Sequence, residues 1–189
     1  QGILGYTALE VGLAFLPSCL VMGTLSLGYA EKLIMGFGAR RTLVTGLAAA
    51  AAGLLLFTQA PVEGGYALHI LPVMLLLGLG AGLAFPALMT LSMSGATDQD
   101  AGLASGFVNT TVQVAGSIGL AVLATIASER TDGLEAAGTS AAAALNSGYH
   151  LAYVVGAILT VAAIGVALAV LRPDTEAAPA ADPIGAEAG

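Results

Sequence analysis

Charged residues divide the chain into long uncharged stretches: 11–30, 42–62, 64–97, 101–128 and 136–171 contain no Asp, Glu, Lys or Arg. A helix rises 1.5 Å per residue, so about 20 apolar residues cross a hydrocarbon layer about 30 Å thick. Every stretch meets that length. The two longest each carry a polar end, Gly64 to His69 in one and Gly138 to His150 in the other, so each predicts one spanning helix rather than two. The pattern predicts five membrane helices, near 10–31, 42–59, 67–92, 101–127 and 150–171. The other structure that satisfies its backbone in lipid is a closed barrel, whose strands alternate with period two. Leu47 to Phe57 shows no alternation. The expected fold class is therefore an all-α membrane protein, with a bundle of five transmembrane helices over 1–172. Residues 173–189 hold three Pro and four acidic residues with almost no large apolar side chain, the composition of a disordered tail.

Composition narrows the class from a second direction. Hydrophobic residues make up 57% of the 189 and charged residues 9%, against roughly 25% charged in a soluble domain. Such a chain cannot cover a globule with solvated surface, and it is too hydrophobic to be disordered. A net charge of −7 offers no basic face for nucleic acid. The single Cys19 excludes an internal disulfide and a thiolate zinc cluster. His69 and His150 fall at helix ends without a ligand-spaced partner, and Ser18 beside Cys19 has no nearby base. No metal, cofactor or catalytic residue is expected.

The few basic residues set an orientation. Lys32, Arg40 and Arg41 lie between the first two helices and Arg172 follows the fifth, leaving only Arg130 on the other side. The positive-inside rule makes the first side cytoplasmic. The chain would then sit in the cell membrane as a multi-pass protein, with its N-terminus outside and its C-terminus in the cytoplasm. Gln1 is not a Met, and no basic region with a cleavage site precedes the first helix. Gln1 to Tyr6 reads as an external loop after an earlier helix, so a longer protein is expected.

Three segments could carry function. In the connection from Gly28 to Arg41, two glycines near the helix end would supply the positive φ that a sharp reversal needs. Arg40 and Arg41 then open the next helix, where a cation opposes the dipole. Gly38, Arg40 and Arg41 either anchor the loop in water or form a charge latch between helices. In the third span, Gly78 and Gly82 permit close helix approach, and Pro86 removes the hydrogen bond to the Gly82 carbonyl, predicting a bend. Pro17 allows a milder bend in the first. In the fourth span, Gly102, Gly106, Asn109, Gln113 and Gly116 share one face, opposite Leu103, Phe107, Val114 and Ile118. Asn109 and Gln113 lie about 12 and 18 Å deep. Amides at that depth must meet protein or water, so the face is a helix contact or the wall of a substrate path. No span has an acidic or basic residue at its middle, so no proton relay is expected here.

The order Gly5-Tyr6-Thr7-Ala8-Leu9-Glu10-Val11-Gly12 to Pro17, then Phe37-Gly38-Ala39-Arg40-Arg41, then Leu77-Gly78-Leu79-Gly80-Ala81-Gly82 resembles the C-terminal half of a major facilitator superfamily transporter. The segment Asp100 to Gly116 is similar to the fourteen-helix drug:proton antiporter branch, the multidrug efflux type. The resemblance implies a C-terminal fragment of a proton-coupled secondary-active exporter of drugs or small amphipathic molecules. Its partners would be the lipid bilayer, the N-terminal helices of the same transporter, the substrate and protons. The connection departs from the family pattern at Glu31 and Gly36, which makes a latch role for Arg40 or Arg41 less secure. The family's proton-coupling acidic residues lie largely in the other half. On the residues alone, the competing reading is a complete five-helix scaffold or assembly subunit that transports nothing.

Overall fold

The computed structural model describes residues 8–59, 69–97 and 99–171. The tail read at 173–189, Arg172 and the leading segment up to Tyr6 lie outside the described residues. Helix α1 (Ala8–Thr24) leads through a wide π-helical turn (Leu25–Tyr29) into α2 (Ala30–Phe37); then come α3 (Ala39–Phe57), α4 (Leu71–Met93), α5 (Ala101–Ala136) and α6 (Ala141–Val170). Within the wide turn the Ala30 N–H donates to the Leu25 carbonyl, five residues back. Among the described residues five helices are long and apolar enough to cross a bilayer, with Gly12–Phe37 counting as one of them, and there is no strand.

The helices pack in the order α1, α4, α3, α6, α5, so α4 and α3 occupy the middle. What is buried between them is small: Ala30, Ala51, Ala87, Ala152 and Ala157, with Leu43, Val73, Met74 and Leu83. Large apolar side chains point outward instead. Leu27 is 92% exposed, Leu103 78% and Val170 72%. In water that distribution would be ruinous, but lipid tails are as apolar as leucine, so helix association relies on close packing of small residues. The distribution of side chains thus agrees with the membrane class.

Two stretches differ from the sequence-based expectation. The connection from Gly28 to Arg41 is helical up to Phe37, and Gly38 alone makes the turn. Glu31 to Met35 are mostly good helix formers, and nothing in them stops the helix at the last uncharged residue. At the other end of the bundle, α5 continues to Ala136 and α6 begins at Ala141, where 128–149 reads as a loop. A helix need not end where the hydrocarbon does. Glu129, Arg130, Asp132 and Glu135 suit a solvated helix, and Ala141–Ala144 have the highest helix propensity. At 1.5 Å per residue α5 is about 54 Å long, well beyond a bilayer's thickness. It closes in a Schellman motif: the Thr139 N–H donates to the Leu134 carbonyl at 3.0 Å and the Gly138 N–H to Glu135 at 2.9 Å. Gly138 supplies the required φ of 86°.

Candidate functional site

Helix α4 carries glycine on two faces, and each face closes on a different neighbour. A Cβ added at Gly78 would lie 2.6 Å from the Ser18 carbonyl oxygen of α1, and one at Gly82 would lie 3.1 Å from Met22. On the other face, a Cβ at Gly80 would lie 2.9 Å from the Ala50 backbone nitrogen, and one at Gly46 of α3 only 2.6 Å from that of Ala84. Backbone meets backbone in both seams. Pro86 lies inside α4, which runs on to Met93, and its carbonyl accepts the Thr90 hydroxyl at 3.0 Å. Pro17 likewise sits within α1.

The turn between α2 and α3 rests on one residue. Gly38 has φ 88° and ψ 152°, a region essentially confined to glycine. Gly28 and Gly36 are helical, so one glycine makes the reversal rather than two. Gly38→Ala is therefore expected to destabilise the chain by about 1–3 kcal/mol. Gly36→Ala has nothing within 4 Å to strike and should cause no loss. Thermal unfolding of both variants in detergent checks this, and equal midpoints would remove the special role of Gly38.

Arg40 explains its own unfavourable position. Its Nη2 donates to the Leu168 carbonyl at 2.7 Å, and Leu168 lies in the last turn of α6, where carbonyls lack a helical partner. A cation there complements the α6 dipole. Arg40 thus caps a neighbouring helix and ties α3 to α6. Next to it Thr42 is buried, and its hydroxyl donates to the Gly38 carbonyl at 2.9 Å. A cavity of about 510 Å³ opens here, walled by Leu33, Phe37, Val44 and Leu83, with Arg40 and Arg41 in its lining.

A second cavity of about 520 Å³ lies between α3, α5 and α6, bounded by Leu54, Leu123, Tyr149, Tyr153, Gly156 and Thr160. Tyr153 stacks on Phe57 at 4.7 Å, with Tyr149 6.4 Å beyond it. Near it Gly148 packs on Thr131 and Ala127 of α5, and the Thr131 hydroxyl donates to Ala127 at 2.8 Å.

The α5 candidates sit elsewhere. Gly102, Gly106 and Gly116 meet nothing within 4 Å, and Asn109 and Gln113 are exposed. Phe107 on the other side is 71% exposed as well. Thr110 and Ser117 return their hydroxyls to Gly106 and Gln113 of their own helix, each at 2.8 Å. The two amides are thus among the polar groups that this half of α5 presents outward, with Ser105 and Thr111 exposed beside them. The structure brings Gly38, Arg40 and Arg41 together and sets Gly78 and Gly82 against α1; it joins neither group to the α5 face.

Residues 1–120 match the profile of the Major Facilitator Superfamily. The chain belongs to this superfamily. The puromycin resistance protein pur8 of Streptomyces alboniger is 35% identical over 186 residues, covering 94% of this chain and 37% of that protein. The cephamycin export protein CmcT of Amycolatopsis lactamdurans is 37% identical over 133 residues, or 70% of this chain and 27% of that protein. The uncharacterized MFS-type transporter YhcA of Bacillus subtilis (strain 168) is 30% identical over 131 residues, 69% of this chain and 24% of its own length. The chain thus spans between about a quarter and two fifths of these superfamily relatives, which by name are transport and resistance proteins rather than enzymes.

Several contributors have only a weak mark in the sequence. Gly46 and Ala50, like Gly80 and Ala84, are small residues four apart, the usual spacing of a close helix contact. Tyr149 and Tyr153 are also four apart. Leu168 offers no signal, because its part is played by a backbone carbonyl.

Proposed function

We propose that the chain supplies five helices of a proton-coupled exporter of small amphipathic molecules in the cell membrane, with the Asn109 and Gln113 face of α5 on the substrate path or against a further helix. The observation that carries this reading is the exposed amide pair about 12 and 18 Å along a spanning helix from Ala101. Facing lipid, such groups are costly, whereas facing a wet path or a partner helix they are satisfied. Resistance and export functions in the names of the relatives support a drug-like substrate. In this reading the Arg40 end is cytoplasmic, following the basic residues. The carboxylates that couple protons belong to helices beyond these five, since no span here has an Asp, Glu, Lys or Arg at its middle.

Everted membrane vesicles bearing the transporter of which this chain is part test the reading, with puromycin and a cephamycin as probes. Uptake that collapses on adding a protonophore is the expected result. Protonophore-insensitive uptake counts against proton coupling, and uptake by these 189 residues alone counts against their being five helices of a larger path.

A further inference from the structure

The Arg40 cavity has the build of a lipid site. Its walls are apolar side chains from α2, α3 and α4, whereas Arg40 and Arg41 sit in the first turn of α3. Arg40 reaches the last turn of α6, so this end of the cavity lies at the ends of two membrane helices. The far wall is deeper. Leu83 neighbours Ala84, which abuts Gly46, and Gly46 lies about 10 Å along α3 from Ala39. The cavity therefore runs from a cationic rim inward along an apolar groove. Its volume of about 510 Å³ falls within the roughly 300–1,000 Å³ of small-molecule sites.

We infer that this cavity binds an anionic phospholipid, its phosphate at Arg40 and Arg41 and one acyl chain along Leu33, Phe37, Val44 and Leu83. Charge complementarity selects the occupant: the positive charge of Arg40 and Arg41 at the rim attracts an anion, and a neutral amphiphile gains nothing from it. Basic pockets at the ends of membrane helices recognise anionic headgroups through this combination. The Thr42 and Thr45 hydroxyls, at 2.9 Å from the Gly38 and Arg41 carbonyls, are engaged within the helix, so selection for charge rests on the cationic rim. A lipid seated here would bridge α2, α3 and α4 beside the Arg40 link to α6. This assignment concerns binding, holds in either leaflet and stands apart from the transport reading.

Native mass spectrometry of the full chain, with dioleoylphosphatidylglycerol or dioleoylphosphatidylcholine titrated in, tests it. Phosphatidylglycerol should be retained the more tightly, and Arg41→Gln should weaken its retention on the order of fivefold, the worth of one basic residue at a membrane surface. Arg41 is the informative position, since Arg40 also caps α6. Val44→Phe narrows the groove without changing charge and should weaken retention too. Arg130→Gln, at the opposite end of the bundle, should leave it unchanged. Equal retention of the two lipids, no effect of Arg41→Gln, or displacement by millimolar inorganic phosphate would overturn the assignment, the last by making this a site for soluble anions.

Discussion

Gly46→Val in α3 is expected to abolish the cooperative unfolding transition of the chain in detergent, and Gly46→Ala to lower its midpoint. An added methyl at Gly46 would meet the Ala84 nitrogen at 2.6 Å and the Gly80 oxygen at 2.9 Å. Neither is the flexible end of a side chain, so α3 and α4 must move apart. Overpacking of a core by a methyl or two costs about 1–3 kcal/mol, and a domain of this size loses roughly 2–4 °C per kcal/mol. Valine adds two more carbons and a stiff side chain. Gly80→Ala strikes the same seam from α4, meeting Ala50 at 2.9 Å. The Gly46→Ala, Gly80→Ala double variant should therefore lose less than the sum of the singles, because one opening of the seam accommodates both methyls. Circular dichroism melts of the three variants, with Gly12→Ala as a control that meets nothing within 4 Å, check the pattern. A Gly46→Ala midpoint equal to that of the control would show that the seam yields freely.

The Asn109→Leu, Gln113→Leu double variant should separate stability from transport. Within these residues both amides are exposed, so the melting midpoint of the chain should not fall. In the exporter proposed to contain it, drug efflux should drop by about threefold to thirtyfold per amide, the equivalent of roughly 0.6–2 kcal/mol for an interhelical hydrogen bond. Gly106→Ala sharpens the result. It meets nothing within 4 Å here and gains up to about 1 kcal/mol of helix propensity, so it should be neutral or stabilising in the chain by itself. Loss of efflux with Gly106→Ala would place another helix directly on that face; loss with the amide pair alone would favour a wet path. Undiminished efflux in the double variant sinks the role proposed for α5.

The existence and type of the five spans could be read from charge spacing, because hydrocarbon thickness sets a length that sequence can be counted against. Their ends could not. The solvated extension of α5 past Glu129 costs nothing in hydrophobicity and is held by Gly138, a cap visible only once the preceding residues are helical. Gly78 and Gly82 were legible as contact residues from their spacing, but which helix they meet depends on how the chain returns through the membrane. Gly80 belongs to the same glycine run yet points to the other side, a distinction that follows from the 100° step per residue. The puzzle of Arg40 was visible as a cation at the wrong end of a helix; its solution required Leu168, 128 positions away. For α5 the pattern of small and amide residues was complete in the sequence, and the fold adds that these five helices leave it bare.

The two glycine seams have a mechanical consequence. Packed helices usually accommodate motion by sliding, with long side chains tilting to keep contact. At Gly78, Gly80 and Gly82 no long side chain of α4 intervenes between its backbone and the neighbouring helices, and a slip of one residue would bring Leu79 or Leu83 against a surface shaped for hydrogen. Sliding is thereby opposed at these contacts on both sides of α4. In the exporter proposed above, α1, α3 and α4 are therefore expected to move together at these contacts rather than past one another.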